Sequence, residues 1–174
     1  PVFEKLNREI EADHAVNYII KTLMNSPEKV TVVTTGPMTN LGMALRMEPK
    51  IVDKIQEIVF MGGSYANGNV TPDAEAAHVC ISSGLPITMV GLDVTRKALC
   101  YPEIVERMRK VGNKASDLFT DLMAFFCKTQ KEVYGWEGGP LHDPITIAYL
   151  IDPTVLITKP MNVTVDTSSS QSYG

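Results

Sequence analysis

Residues 30–45, VTVVTTGPMTNLGMAL, decide the fold because they pass from a β-branched run to a helical pattern within a few positions. The run Val30 to Thr34 predicts a strand, and Gly36-Pro37 predicts the turn that ends it. Apolar residues then recur at helical spacing from Leu41 to Leu45. A strand followed directly by a helix is the repeating unit of a parallel sheet covered by helices.

The same alternation of strand and helix recurs on both sides of this stretch. Upstream, apolar residues at helical spacing from Ala15 to Leu23 end at Asn25-Ser26-Pro27. Downstream, Ile58 to Phe60 and Ile87 to Leu92 predict strands, and Ala74 to Ser82 predicts a short helix between them. We therefore expect an α/β fold with an open, mostly parallel sheet flanked by helices, a Rossmann-like core.

The second half of the chain is predicted to be more helical. Pro102 begins a helical segment that runs to Val111, and Pro144 to Leu150 predicts another helix. Met161 to Val165 alternates in the manner of a late or edge strand. The long helical pattern from Ser116 towards Tyr134 predicts one apolar side, made of Leu118, Leu122, Phe125 and Phe126.

Composition limits the functional classes. The hydrophobic fraction of 44% in 174 residues fits one globular domain over residues 1–174. A net charge of −4 argues against a nucleic-acid partner, because such proteins need surplus Lys and Arg. No apolar run reaches the ~20 residues that span a bilayer, and no signal-peptide pattern opens the chain. With three unpaired cysteines, these features predict a cytoplasmic protein with a small ligand.

Polar phrases follow the predicted strands, where open α/β sheets bind their ligands. Residues 34–40 (TTGPMTN) follow the first strand, residues 61–63 and 68–72 follow the second, and residues 141–144 (LHDP) precede the late helix. Each phrase alone also fits a structural reading, as a turn, a loop cap or a helix start. All of them could meet in one crevice.

Taken together, these phrases resemble the inosine-uridine preferring nucleoside hydrolase family, and the resemblance covers nearly the whole chain. The phrases that carry it are VTVVTTGPMTNLGMAL, IVFMGGSYANGNVTP, AEAAHVCISSGLPITMVGLDVT and YGWEGGPLHDPITIAYLIDP. The resemblance implies hydrolysis of the bond between ribose and base in ribonucleosides. It also implies a bound Ca²⁺ that holds the attacking water, an aspartate that takes a proton from this water, and assembly as a dimer or tetramer.

The resemblance assigns roles to five matching positions. Asp143 matches a metal carboxylate and Thr35 a main-chain carbonyl ligand, and both are oxygen donors of the kind that Ca²⁺ takes. Asn69 matches a residue that hydrogen-bonds the ribose, and Met61 matches one that packs beside the sugar. His142 matches the residue that faces the leaving base, where an imidazole can donate a proton or a polar contact. A solvated loop histidine is the alternative for His142.

The resemblance links base preference to Gln130 and Tyr134, which are one helical turn apart and can face one site. They precede His142 at the separations of the Gln and Tyr that contact the base in pyrimidine-preferring members of the family. The resemblance thus implies uridine and cytidine as substrates. An exposed Gln and a Tyr packed at the helix end remain the alternative, and Trp136 could stack on a base or fill the helical part.

The chain departs from the family pattern in two places. The aspartate-rich loop after the family's first strand, which supplies the catalytic base, has no counterpart before Glu4. A Glu-Phe-Asn stretch that holds the ribose hydroxyls is missing between Pro72 and Asp73. We therefore expect a single nucleoside hydrolase domain that is incomplete at both ends and inactive by itself. The rival hypothesis is a non-catalytic nucleoside-binding protein on this scaffold. A Ser or Cys hydrolase is disfavoured because no Gly-x-Ser-x-Gly phrase is present.

Overall fold

The chain divides into two compact units in a computed structural model that describes residues 9–64 and 73–168. We call Glu11–Asp93 with Asp143–Gly174 the sheet unit, and Pro1–Ile10 with Val94–His142 the helical unit. The elements in chain order are α1 (Ala15–Asn25), β1 (Val30–Thr34), α2 (Thr39–Met47), β2 (Ile55–Met61), α3 (Ala74–Ile81), β3 (Ile87–Val90), α4 (Leu92–Thr95), β4 (Leu99–Cys100), α5 (Pro102–Arg109), α6 (Lys114–Tyr134), β5 (Gly139–Pro140) and α7 (Pro144–Ile151).

The sheet unit contains a parallel sheet with the strand order β1-β2-β3. The central strand β2 is the most deeply buried, and Ile58, Val59 and Phe60 are at most 1% exposed. Short 3-10 helices at Pro49–Lys54 and Pro153–Val155 complete this unit. The predicted α/β architecture with a parallel sheet flanked by helices is therefore confirmed.

Helices α2 and α3 pack closely because a glycine lies where they meet. A Cβ atom on Gly42 would lie 3.0 Å from the Cβ of Ala76. Almost any larger residue at position 42 would force these helices apart, since such a contact leaves no room for a side chain. Apolar side chains of α1, α2, β2 and α3 join in one core, which includes Leu23, Leu45 and Cys80.

The helical unit is built around α5, α6 and the antiparallel pair β4–β5. Asn113 and Ser116 form a reciprocal capping box at the start of α6, and Gly135 ends the helix at a φ of 71°. Both signals are common at helix ends, because they satisfy backbone groups that the helix leaves unpaired. The core of this unit is small and consists of Cys100, Val105 and Met123 with half-buried neighbours.

The predicted apolar side of α6 is only partly right, because Phe126 packs against the core of this unit whereas Leu122 and Phe125 are exposed. Leu122 is 49% exposed and Phe125 is 72% exposed, whereas Thr120 and Met123 face the core. The helix carries apolar residues on more than one side, and the buried side is chosen by packing against the rest of the unit. The Thr120 hydroxyl can be buried there because it donates a hydrogen bond to the Ser116 carbonyl.

Two strand predictions also need correction. The third strand ends at Val90 rather than Leu92, because the chain turns at Gly91 and begins α4 at Leu92. Met161 to Val165 forms no strand, and only a single β-bridge residue follows, at Asp166. Val165 is 6% exposed and joins the sheet unit's core, so its apolar character reflects side-chain burial rather than strand pairing.

No helix within residues 9–64 and 73–168 combines the length and the apolar character needed to cross a bilayer.

Candidate functional site

A cleft of ≈ 180 Å³ opens in the sheet unit beyond the carboxyl ends of β1 and β2. Its walls come from residues 35–38 after β1, residues 60–63 at the end of β2, and Asp73 and Ala77 at the start of α3. The structure thus brings two predicted site residues, Thr35 and Met61, into one cleft. This is the end of a parallel sheet at which α/β proteins bind ligands.

The wall after β2 has a backbone path that only glycine follows without strain. Gly63 has a φ of 71°, and a Cβ atom there would lie 3.1 Å from the Met89 sulfur. Its carbonyl accepts a hydrogen bond of 2.9 Å from the Leu92 amide. The Gly-Gly pair therefore connects the cleft wall to the end of β3. This is a structural role, of the kind that the sequence analysis gave as the alternative for this phrase.

Beyond Gly63, the Ser64 hydroxyl donates a 2.8 Å hydrogen bond to the Asp93 carboxylate. This bond holds the last described residue before the segment 65–72. Asn69, the predicted ribose contact, belongs to that segment and lies outside the described residues.

Asp73 joins the cleft to the two helices behind it. Its carboxylate accepts a 2.5 Å hydrogen bond from the Thr39 hydroxyl and a 2.9 Å bond from the Ala76 amide. These bonds, Thr39 first, hold the pKa of Asp73 below its ordinary value. Sequence reasoning missed this network, although an aspartate three residues before a helical amide is an N-cap signal.

Asp143 immediately precedes α7 in the sheet unit and is exposed. Its side chain makes no capping bond to α7, and the helix start is held instead by its backbone carbonyl. That carbonyl accepts hydrogen bonds from the buried Thr146 hydroxyl at 2.7 Å and from the Thr146 amide at 3.1 Å. The Asp143 carboxylate is therefore not used to build the helix start.

The oxygen donors at Thr35 and Asp143 fit a hard cation such as Ca²⁺ in chemical type. Within the described ranges, no group of three or more His, Cys, Asp or Glu side chains is placed to hold a metal ion. Asp143 also lies outside the described lining of the cleft that contains Thr35. That Thr35 and Asp143 are cation ligands stays a prediction.

His142 lies in the helical unit and is half-buried. Its Nδ1 atom is 2.8 Å from the hydroxyl oxygen of Thr95, which is 0% exposed. The Leu141 amide next to it donates a 2.8 Å hydrogen bond to the Ala98 carbonyl. This anchored imidazole differs from the solvated loop histidine considered from the sequence, and Thr95 was not among the predicted site residues.

Gln130 and Tyr134 lie on the last two turns of α6, in the same unit as His142. Gln130 is half-buried, while Tyr134 is 64% exposed. The rings of Tyr134 and Trp136 are tilted by 44° with centroids 5.9 Å apart. This is an aromatic contact of ordinary geometry. That Gln130 and Tyr134 contact the base stays a prediction.

The three cysteines are free, as expected for reduced thiols. Burial raises the pKa of the Cys80 thiol to about 12, with a further increase from the Asp73 charge. Burial also raises the pKa of Cys100, whose carbonyl accepts a 3.3 Å hydrogen bond from the Cys127 thiol. Cys80 and Cys100 therefore stay protonated and are poor nucleophiles at neutral pH.

A parallel α/β sheet with a cleft beyond its strand ends is typical of proteins that bind small molecules at this edge of the sheet. Sequence comparison specifies the class further, because residues 2–174 match the profile of the family described as inosine-uridine preferring nucleoside hydrolase. The chain belongs to this family.

The curated relatives include the pyrimidine-specific ribonucleoside hydrolase RihB of Shigella flexneri. It is 49% identical over 182 residues, which cover 100% of this chain and 58% of the relative. The RihB protein of Escherichia coli O9:H4 is 48% identical with the same coverage. The chain thus spans 58% of the length of these relatives.

Solved structures agree on the fold. A purine-preferring ribonucleoside hydrolase from Gardnerella vaginalis superposes with a TM-score of 0.84 at 35% identity, over 97% of this chain and 56% of that chain. An inosine-uridine preferring nucleoside hydrolase from Bacillus anthracis superposes with a TM-score of 0.79 at 25% identity, over 97% and 58% of the two chains. The predicted family and fold class are confirmed.

Proposed function

We propose that the full-length protein hydrolyses the N-glycosidic bond of ribonucleosides and releases ribose and the free base. The observation that carries this proposal is the cleft in which Thr35 and Met61 meet, in a chain that belongs to the nucleoside hydrolase family. Its position beyond the strand ends is suited to a small-molecule ligand.

The sheet unit acts on the sugar in this proposal. Met61 packs against the ribose from the cleft wall, and Asn69 donates or accepts a hydrogen bond at a ribose hydroxyl. The Thr35 carbonyl and the Asp143 carboxylate hold a divalent cation. Nucleoside hydrolases are generally metal-dependent, and two hard oxygen donors favour Ca²⁺ as the ion.

A bound Ca²⁺ would supply a positive centre that lowers the pKa of the attacking water. Thr35 would contribute a carbonyl ligand and Asp143 a carboxylate ligand to that ion. The negative charge of Asp143 would offset part of the positive charge of the cation. No residue of the described chain is assigned as the base that takes the water's proton.

The helical unit acts on the base. His142 donates a hydrogen bond or proton to the leaving base, while Gln130 and Tyr134 contact the ring of a pyrimidine. A donor aimed at the departing base stabilises the charge that develops as the glycosidic bond breaks. Pyrimidine preference is supported by 49% identity to a relative named pyrimidine-specific, against 35% to a solved structure named purine-preferring.

We also propose that residues 1–174 are one nucleoside hydrolase domain with a short stretch absent between Pro72 and Asp73. The curated relatives align over 182 residues against the 174 of this chain, which leaves eight aligned positions without a residue here. We further propose a cytoplasmic location, supported by the free cysteines, and no nucleic-acid partner, supported by the net charge of −4. Assembly as a dimer or tetramer is proposed from the family resemblance alone. Light scattering on the full-length protein tests the oligomer.

The direct test of the activity is to incubate the full-length protein with uridine and to separate the products by chromatography. In phosphate-free buffer we expect uracil and free ribose in equal amounts. When phosphate is added, we expect no ribose 1-phosphate. Chelation should stop the reaction and Ca²⁺ should restore it. Uridine binding without cleavage would instead establish the non-catalytic nucleoside-binding hypothesis.

A further inference from the structure

Among the described residues, three threonine side chains are fully buried, and one of them differs from the other two in its hydrogen bond. The hydroxyls of Thr120 and Thr146 donate to backbone carbonyls three or four residues earlier in the chain. The Thr95 hydroxyl instead meets the imidazole of His142, which is 47 residues away. Thr95 therefore links two distant segments, whereas the other two stabilise local helical geometry.

The strand pair β4–β5 brings these two residues together. Leu99 pairs with Pro140, and the Leu141 amide donates a 2.8 Å hydrogen bond to the Ala98 carbonyl. Thr95 lies shortly before β4, and His142 lies shortly after β5. Backbone pairing thus fixes the main chain near both side chains, so their contact does not depend on long flexible side chains.

The donor in this contact follows from burial. Within the described residues, the hydroxyl of Thr95 has the Nδ1 atom of His142 as its hydrogen-bond partner. If Nδ1–H donated to the hydroxyl, the hydroxyl proton would be buried without an acceptor, which is costly. The Thr95 hydroxyl therefore donates to an unprotonated Nδ1, and the neutral ring carries its proton on Nε2.

We propose that Thr95 is a positioning residue that holds the His142 ring in one rotamer and in the Nε2–H tautomer. This inference rests on the proposed role of His142 as donor to the leaving base, because that role needs a proton on the nitrogen opposite Nδ1. Loss of the Thr95 hydroxyl removes this hydrogen bond from Nδ1, so other rotamers and the other tautomer of the ring become more populated and a smaller fraction of the enzyme presents the donor.

The kinetic test compares Thr95→Val, Thr95→Ser and Thr120→Val in the full-length enzyme. Thr95→Val keeps the side-chain shape and should lower kcat for uridine about 10- to 100-fold, with KM within about threefold of the wild type. Thr95→Ser keeps a hydroxyl and should restore kcat to within about threefold of the wild type. Thr120→Val is the matched control, since it also removes a fully buried hydroxyl in the helical unit.

The control should show wild-type kcat, because the Thr120 hydroxyl bonds only backbone in α6 within the described structure. Equal losses in Thr95→Val and Thr120→Val would show general damage to the unit and overturn the proposal. A Thr95→Ser variant as slow as Thr95→Val would overturn it as well, because a retained donor should suffice.

A measurement independent of activity decides the tautomer. Nitrogen-15 NMR of the imidazole side chains, in mildly alkaline buffer where imidazole is neutral, distinguishes the two tautomers. His142→Gln assigns the signal. We expect the Nε2–H form in the wild type and in Thr95→Ser, and a mixture in Thr95→Val. An unchanged tautomer in Thr95→Val would refute the inference. A wild type that hydrolyses no nucleoside would refute the proposed function. A His142→Gln variant with full kcat would refute the role of His142 as donor to the leaving base. In either case the NMR result would still decide the Thr95–His142 link.

Discussion

The two units of the molecule differ in the size of their hydrophobic cores. In the sheet unit one continuous core joins α1, α2, β2 and α3, and the cleft wall is tied to β3 by backbone hydrogen bonds. In the helical unit the core is limited to a few residues, and α6 leaves Phe125 and Val133 more than 60% exposed. A well-packed scaffold suits the fixed geometry of sugar and cation, whereas a sparser unit suits contacts that vary between bases.

On this basis we expect residues of the two units to act on different parts of the substrate in the proposed enzyme. Changes in the sheet unit should reduce the turnover of all nucleosides by similar factors, because every substrate carries the same ribose. Changes at the base-contacting positions of the helical unit should alter the choice between bases. Substitutions in the two units should therefore have distinguishable effects on uridine and inosine.

Asp143→Ala in the full-length protein should lower turnover of uridine and inosine alike by about 1,000-fold or more, because a lost carboxylate removes both charge and geometry from the cation site. Calcium content should fall with it. Metal analysis and steady-state kinetics measure both quantities.

Asp152→Ala is a suitable control for this change. Asp152 is another acidic residue beside α7, and its carboxylate bonds only Thr154 among the described residues. This variant should keep its calcium and its turnover. Undiminished calcium in Asp143→Ala would contradict the ligand assignment.

Asn69→Ala should lower kcat/KM by about 10- to 1,000-fold, since a ribose contact that tightens in the transition state is lost. The factors for uridine and inosine should agree, because the contact is to the sugar. Kinetics on both nucleosides measure this. A loss restricted to one nucleoside would place Asn69 at the base and contradict its assignment to the ribose.

Asp73→Ala should lower the free energy of unfolding by about 1 kcal/mol, the usual cost of a lost N-cap. The pKa of folded Asp73 lies below its ordinary value of 3.8, so its contribution is complete above that pH and is lost as the pH falls through the folded pKa. Denaturant unfolding at several pH values should therefore show wild type and variant converging in acid. Asp73→Asn keeps a capping oxygen and should lower the free energy of unfolding by less than Asp73→Ala does. A difference between wild type and Asp73→Ala that persists in acid would contradict this account.

The sequence predicts the sheet unit well because its information is local. A β-branched run such as Val30 to Thr34 has few alternatives to a strand, and residues directly after parallel strands must lie at one edge of the sheet. Thr35 and Met61 do line one cleft, as expected of residues that follow neighbouring parallel strands, and their roles toward the cation and the sugar stay predictions.

The remaining errors and omissions involve long-range contacts. The Thr39–Asp73 and Thr95–His142 hydrogen bonds join residues 34 and 47 positions apart, and a single sequence carries no local sign of either. In α6 the periodicity permits more than one buried side, so packing decides that Met123 is buried and Phe125 is exposed. The alternation at Met161 to Val165 matched a strand by period, but none of the strands described in residues 9–64 and 73–168 pairs with it.

The most direct test of the division between units is the ratio of kcat for uridine to kcat for inosine in the full-length enzyme. We predict that the wild type turns over uridine faster. Gln130→Ala and Tyr134→Phe should each lower this ratio about threefold or more, because each removes one hydrogen bond to the pyrimidine. Glu132→Gln, on the same two turns of α6, should leave it unchanged. A wild type that prefers inosine, or equal losses on both nucleosides in Gln130→Ala and Tyr134→Phe, would contradict the account.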